Sequence, residues 1–209
     1  MSGKLISIEG GEGAGKSTVI ATIVAVLEQR GLRVQTAREP GGTALGEAVR
    51  ELVLGPVQHS ISAEAELLLM FAARAQLVRE RVLPALAAGD WVVSDRFTDA
   101  SFAYQGGGRG VDSACIAELE RWVVGFKPDI TFLLDVCVDI GMQRARGRGG
   151  ALDRIESEAS SFFERARVCY RQRAAAEPAR YRVIDAGQPV AVVVDAVQQA
   201  LQAWLDAQT

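Results

Sequence analysis

Apolar and polar positions along the chain switch repeatedly between two periods. Leu5-Ile6-Ser7-Ile8 is a short β-prone run, and Ile20, Ile23, Val24 and Leu27 then recur at helical i, i+3, i+4, i+7 spacing. Arg30-Gly31 stops that helix, and Leu32 to Thr36 predicts a second strand. Leu45 to Leu54 predicts a short helix closed by Gly55-Pro56, and Ser62 to Ala88 a long amphipathic one that Pro84 bends or shortens. Trp91-Val92-Val93-Ser94 predicts a third strand ending at Asp95. Ile130 to Asp135 predicts a fourth, whose unbroken apolar run suits a central position. Helices are predicted over Ser113 to Gly125, from Val138 onward, and over Ser160 to Ala176. Tyr181 to Asp185 predicts a fifth strand, and Val190, Val193, Val194, Val197, Leu201, Trp204 and Leu205 mark a last amphipathic helix. Strands alternating with helices predict an α/β fold, a five-stranded parallel sheet flanked by helices.

Composition narrows the class. The 209 residues suit a single domain spanning 1–209, and 49% hydrophobic with 23% charged residues belongs to a folded globular chain. A net charge of −3 gives no general attraction to nucleic acid or to an anionic membrane, so neither partner is expected. Cys115, Cys137 and Cys169 are far apart with no C-x-x-C pair, which predicts buried thiols in a reducing compartment. No signal-peptide pattern opens the chain, and no apolar run approaches the ~20 residues that span a membrane. A cytoplasmic location is expected. His59 is the only histidine and falls in a predicted loop, which disfavours histidine triads and histidine-rich metal sites.

Between the first strand and the first helix stands Gly10-Gly11-Glu12-Gly13-Ala14-Gly15-Lys16-Ser17, which fits G-x-x-x-x-G-K-[ST]. The flanking strand and helix are the context that pattern needs to cradle a polyphosphate, so the fold is read as a P-loop NTPase fold. The glycines let backbone N–H groups approach the phosphates, and the helix N-terminus adds partial positive charge. Lys16 then reaches the β- and γ-phosphates, and the Ser17 hydroxyl suits Mg²⁺. Asp95, ending the third strand, is a Walker B carboxylate for the same ion. Arg96 follows it; an Asp-Arg pair at that rim makes sense paired to metal and phosphate.

Other stretches carry weaker signals. Arg38-Glu39-Pro40-Gly41-Gly42-Thr43 is a turn at the carboxyl end of a strand, where open α/β sheets place ligands. Phe71 and Arg74 are i, i+3 neighbours on a helix: either core plus solvated charge, or a pair that stacks a base and hydrogen-bonds its carbonyl. Gln105-Gly106-Gly107-Gly108-Arg109-Gly110 reads as a mobile loop or a second close backbone approach to a ligand. Arg144, Arg146, Arg148 and Arg154 lie within eleven residues of an acidic chain. That segment reads as a solvated basic loop, as RNA contact, or as the mobile lid of a phosphoryl-transfer site, about residues 144–156; its position between helices favours the lid.

A P-loop alone implies only a nucleoside triphosphate. The N-K-x-D base-reading segment of GTPases is missing. A sugar hydroxyl acceptor needs a carboxylate base, whereas a phosphate acceptor is already ionised and needs positive charge to hold two anions together. Lys16, Arg96 and the lid arginines supply that charge, which favours a kinase acting on a phosphate. The alternatives are another nucleoside monophosphate or deoxynucleoside kinase, and an ATPase switch that acts on a protein or nucleic-acid partner.

The ordered set of the P-loop through Thr18, Arg38 to Thr43, Phe71-Ala72-Ala73-Arg74, Asp95-Arg96-Phe97, Tyr104 to Gly110 and Leu152-Asp153-Arg154-Ile155-Glu156 resembles the bacterial thymidylate kinases over nearly the whole chain. The resemblance implies transfer of the ATP γ-phosphate to dTMP with Mg²⁺, giving dTDP and ADP for dTTP synthesis, by a homodimer. It implies that Glu12 contacts the deoxyribose 3′-hydroxyl, that Phe71 stacks on thymine and Arg74 bonds its O4. It implies that Arg96 clamps the dTMP phosphate and the incoming phosphoryl, with Asp95 and Ser17 at the metal. Glu39, Arg50, Ser101, Tyr104 and Gln105 complete the implied dTMP site, and Arg144 stacks on adenine. The P-loop lacks an arginine, so the resemblance is to the lid-arginine type, with Arg148 and Arg154 as the expected catalytic charges beside Lys16 and Arg96.

Overall fold

In the computed structural model, which describes residues 3–55, 60–147 and 153–207, strand β1 (Leu5–Gly10) is buried along its whole length. Its alternation divides the core into two sides. Ile6 and Ile8 join Ile23 and Leu27 of α1 (Lys16–Gln29) and Val197 and Leu201 of α9 (Val190–Asp206). Leu5 joins the opposite cluster with Leu77, Val78 and Val92. Ser7 and Glu9 share the side of Leu5, and Ser7 Oγ meets Thr131 Oγ1 at 2.7 Å. A polar pair buried between strands is tolerable because each hydroxyl satisfies the other.

β2 (Val34–Arg38), β3 (Trp91–Asp95), β4 (Ile130–Asp135) and β5 (Tyr181–Asp185) complete a sheet of order β2-β3-β1-β4-β5. Every neighbouring pair is parallel. The five strands and their direction are those expected; β2 begins two residues later than the apolar pattern indicated. Register sets Asp95 opposite both Ile8 and Arg38, so the carboxyl ends of β1, β2 and β3 form one rim.

α2 (Ala44–Leu54) is capped by Thr43, whose Oγ1 accepts the Gly46 N–H at 2.9 Å. The long helix expected over Ser62 to Ala88 is instead α3 (Ala63–Leu77), a wide i→i+5 turn at Val78–Val82, and α4 (Leu83–Ala87). Pro84, in the first turn of α4, has no N–H to return to the preceding turn, and the widened turn absorbs that loss.

The glycine run is not the loop its composition suggests. After α5 (Thr98–Ser101), Phe102–Gly108 forms a second wide turn packed on α8 (Ser160–Ala176). A Cβ on Gly108 would lie 2.4 Å from the Phe162 ring, and one on Gly107 2.8 Å from the Arg165 carbonyl oxygen. Glycine is there so that α8 can approach. α6 (Ser113–Leu119), a third wide turn at Glu120–Val124, and α7 (Val138–Arg146) complete the helices. Cys115 and Cys137 are exposed and Cys169 half-buried, against the expectation of buried thiols. Among the described residues no helix is long and apolar enough to cross a membrane.

Candidate active site

The P-loop leaves β1 and enters α1 at Lys16, with Gly15 as the cap in the left-handed region. Gly13 also has positive φ, and a Cβ on it would stand 2.0 Å from the Gly141 carbonyl oxygen, so α7 backs the loop closely. Lys16 Nζ donates to the Gly10 and Gly11 carbonyls at 3.2 and 3.1 Å. Burial, then the neighbouring Arg96, pulls its pKa down. Phosphate oxygens would give that ammonium stronger, charge-assisted partners than its own loop does. Ser17 and Asp95 line the same pocket, and Asp95 Oδ1 is buried with no hydrogen-bond partner. An orphaned carboxylate oxygen beside a hydroxyl suits a hard cation. Among the described residues no group of three or more His, Cys, Asp or Glu side chains is placed to hold a metal. A cation here would therefore be shared with ligand oxygens, the usual arrangement for Mg²⁺.

Arg96 is the one non-glycine among the described residues with positive φ, at 68°. That conformation costs about 1–3 kcal/mol, and its surroundings enforce it. Its N–H donates to the Ile8 carbonyl at 3.0 Å, its carbonyl accepts Ser94 Oγ at 2.6 Å, and the next N–H, of Phe97, donates to Glu9 Oε1 at 2.7 Å. The side chain is thereby aimed at the loop. Nη1 donates to the Gly10 carbonyl at 3.1 Å and Nη2 to Glu12 Oε1 at 2.6 Å, while the guanidinium lies over the Tyr104 ring at 4.7 Å. Tyr104 OH donates to Glu12 Oε1 at 3.1 Å. Burial alone would lower the Arg96 pKa, but Tyr104 and Glu12 outweigh it and hold the group charged.

A second cavity adjoins the P-loop pocket, and Glu12, Glu39, Arg50, Arg96 and Asp153 line both. It continues past Pro40, Val53, Met70, Ala100, Tyr104 and Gln105. Arg50 Nη1 donates to the Pro40 carbonyl at 3.0 Å. Two acceptors on this wall are buried without partners, Glu39 Oε1 and Gln105 Oε1. Arg74 stands behind the wall, fully buried: Nε donates to Glu39 Oε2 at 2.8 Å, Nη1 to Ser101 Oγ at 3.0 Å and Nη2 to the Phe97 carbonyl at 3.2 Å. Burial raises the Glu39 pKa against the pull of Arg74.

Beyond the loop on the other side, Arg144 donates to the Ala186 and Gly187 carbonyls at 2.6 and 3.2 Å and lines a groove with Gly13, Thr18 and Val190. Arg154 Nε donates to the Val53 carbonyl at 2.7 Å, and its Nη2 pairs with Glu66 Oε2. Arg148 lies outside the described residues.

The family model for thymidylate kinase matches residues 8–197. The chain belongs to the thymidylate kinase family. It is similar to a thymidylate kinase of Alcanivorax borkumensis, 51% identical over 98% of this chain and 100% of that one. A thymidylate kinase of Methylococcus capsulatus is 53% identical, covering 97% of both chains. Among solved structures, a thymidylate kinase from Ehrlichia chaffeensis superposes with a TM-score of 0.78 at 31% identity, covering 97% of this chain and 99% of that one.

Within that family frame, Lys16, Ser17, Asp95 and Arg96 converge on one pocket, and Glu12, Glu39, Arg50, Tyr104 and Gln105 on the adjoining one. Phe71 does not join them. It is 2% exposed and packs with Leu67, Phe102 and Ile116, with the Arg74 guanidinium 4.6 Å from its ring centroid; Met70 takes the cavity wall. Phe71 and Arg74 do share a face, as their i, i+3 spacing suggested, but that face is buried; Leu67 to Phe71 is apolar throughout, so periodicity alone did not show which of these residues lines the cavity. Ser101 is also buried, behind the wall on Arg74. Arg154 is held at Glu66 rather than among the P-loop residues. Glu9, Glu66 and Met70 escaped sequence reasoning. An acid in the mostly apolar run of β1 was the available signal for Glu9.

Proposed function

We propose that this chain transfers the γ-phosphate of ATP to dTMP, giving dTDP and ADP in the supply of dTTP. The family supports the reaction, and the observation that carries it is the meeting of two cavities at Arg96. One has a P-loop for a triphosphate; the other is a smaller chamber with an apolar wall and two unsatisfied acceptors. Lys16 holds the β- and γ-phosphates, and Arg144 with Gly13 and Thr18 forms the adenine end. Arg96, aimed by its left-handed backbone, bridges the acceptor phosphate and the incoming phosphoryl, with Arg50 at the same phosphate. Glu12 is paired with Arg96 and serves as an orienting group, consistent with an acceptor that needs no base. Tyr104, Gln105, Glu39 and Met70 surround the acceptor nucleoside, and Arg74 with Ser101 braces them. Phe71 supports that wall from the core.

Ser17 and Asp95 would hold Mg²⁺, which would supply neutralisation of triphosphate charge. The protein's share of catalysis is positioning and electrostatic stabilisation. Arg148 is the lid charge assigned to the transferred phosphoryl, and Arg154 docks the lid on α3 through Glu66. The enzyme works as a cytoplasmic homodimer, with no nucleic-acid or membrane partner.

An ADP-release assay over a panel of nucleoside monophosphates, with and without EDTA, tests this reading. The expected result is rapid turnover of dTMP, far slower turnover of dCMP and thymidine, and loss of turnover on chelation. A silent panel with hydrolysis stimulated by DNA or protein would establish an ATPase switch instead.

A further inference from the structure

Arg96 lines both cavities, and its guanidinium is only as well placed as the backbone that carries it. Two peptide planes flank its Cα and set φ and ψ. The first, between Asp95 and Arg96, is gripped by main chain: the Arg96 N–H donates to the Ile8 carbonyl and the Asp95 carbonyl accepts the Glu39 N–H, both at 3.0 Å. The second, between Arg96 and Phe97, is gripped by side chains. Ser94 Oγ donates to the Arg96 carbonyl at 2.6 Å, and the Phe97 N–H donates to Glu9 Oε1 at 2.7 Å.

Glu9 is fully buried and lines neither cavity. Its other oxygen accepts the hydroxyl of Tyr170, on α8, at 2.7 Å. The Tyr170 ring in turn stands edge-on to Tyr104, centroids 6.3 Å apart, and Tyr104 carries the Arg96 guanidinium over its own ring. So α8 reaches Arg96 twice: through Glu9 to its backbone, and through Tyr104 to its side chain. Without an acceptor at Glu9 the Phe97 N–H would be a buried donor lacking a partner, which is costly. The peptide would turn to find one, and Arg96 would leave a φ that only its surroundings enforce.

We propose that Glu9 is a positioning residue for phosphoryl transfer: held by Tyr170, it fixes the Arg96–Phe97 peptide and so keeps Arg96 in the left-handed conformation that aims its guanidinium at the junction of the two cavities. The inference rests on the reading of Arg96 given above and adds the buried group that aims it.

The test is steady-state kinetics of the full-length protein with ATP and dTMP, run in the wild-type and Arg96→Ala backgrounds. Glu9→Leu fills much of the same space but accepts nothing. It should lower kcat/KM for dTMP by about tenfold or more, because small misplacements of a positioned group are expensive. The KM for ATP should stay within about twofold. Glu9→Gln keeps a carbonyl for the Phe97 N–H and should hold kcat/KM within about threefold of wild type. In Arg96→Ala there is no guanidinium to aim, so Glu9→Leu should cost less than about twofold there, since residues that act as a unit are not additive. An unchanged kcat/KM in Glu9→Leu overturns the proposal. So does an equal loss in both backgrounds, which a merely structural role would give, or a Glu9→Gln protein as slow as Glu9→Leu. If Glu9→Leu fails to fold, Tyr170→Phe decides, since it removes the hydroxyl that holds Glu9 and keeps the ring against Tyr104. A loss of about threefold or more, absent from the Arg96→Ala background, is expected; no loss, or the same loss in both, overturns the proposal. A wild-type protein that does not turn over dTMP would defeat the kinase reading itself, a separate outcome from an active enzyme whose rate is indifferent to Glu9.

Discussion

Glu9 places a carboxyl inside the sheet, one residue before the phosphate-binding loop. Its oxygens accept the Phe97 N–H and the Tyr170 hydroxyl, both at 2.7 Å. Burial, and then the charge of Asp99, pushes its pKa from 4.5 to about 8, against the opposing pull of Tyr170, Arg96 and the Phe97 N–H. In the unfolded chain the group loses its proton near its ordinary value; in the fold it keeps it to about pH 8. Between those values the folded state holds one more proton, so its stability falls as pH rises, at most by about 1.4 kcal/mol per pH unit. Glu9→Gln has no proton to lose, and its carbonyl still accepts from Phe97 while its NH₂ faces Tyr170. Thermal melts of the two proteins from pH 5.5 to 8 should show the variant gaining on the wild type as pH rises. Parallel curves would mean that Glu9 is ionised throughout. The same residue illustrates what sequence alone withholds: an acid in a strand is visible, but its partners lie 88 and 161 positions away.

At the level of elements, the glycine turn and α8 act as one packed unit. An alanine Cβ at Gly108 would press on the Phe162 ring at 2.4 to 2.8 Å, with Phe162 3% exposed and little room to move. Overpacking of that kind costs about 1–3 kcal/mol. Gly108→Ala should lower the melting temperature by roughly 2–12 °C, and Phe162→Leu in the same chain should recover part of it. An unchanged melt would mean that the turn flexes after all. Local patterns revealed the elements unevenly. All five strands were legible because each is a short apolar run between breakers, and the P-loop because its motif sits between a strand and a helix. Strand order was not, since it depends on pairings between distant segments. The three wide turns leave no distinct period. The glycine run was misread because composition reports freedom, whereas here close approach of another helix uses the missing side chains. The cavity's polar wall was mostly legible. Its apolar wall was not, because five consecutive apolar residues hide the phase of α3.

At the scale of the whole molecule, three large apolar side chains stand exposed on neighbouring elements. Leu52 on α2, Leu68 on α3 and Trp122 in the Glu120–Val124 turn are 62%, 58% and 77% exposed. α2 packs on α3, and α3 on that turn. Exposed apolar side chains grouped in this way mark an interaction face, and a tryptophan is a frequent energetic anchor in one. This is the face on which the proposed homodimer would form. Its position bears on the site, because α3 carries Leu68 on the outside and Glu66, Met70 and Arg74 within. A second copy seated there would brace the helix that backs the acceptor cavity. Sedimentation equilibrium should give twice the chain mass of 22.4 kDa. Trp122→Arg, which puts a charge into the face without touching either cavity, should shift the protein to single chains. That monomer should bind dTMP more weakly while its affinity for ATP changes little, since the P-loop is carried by β1 and α1 rather than by α3. A wild-type protein that remains a single chain at tens of micromolar would remove the dimer. A monomeric variant with unaltered dTMP affinity would keep the dimer and remove its link to the site.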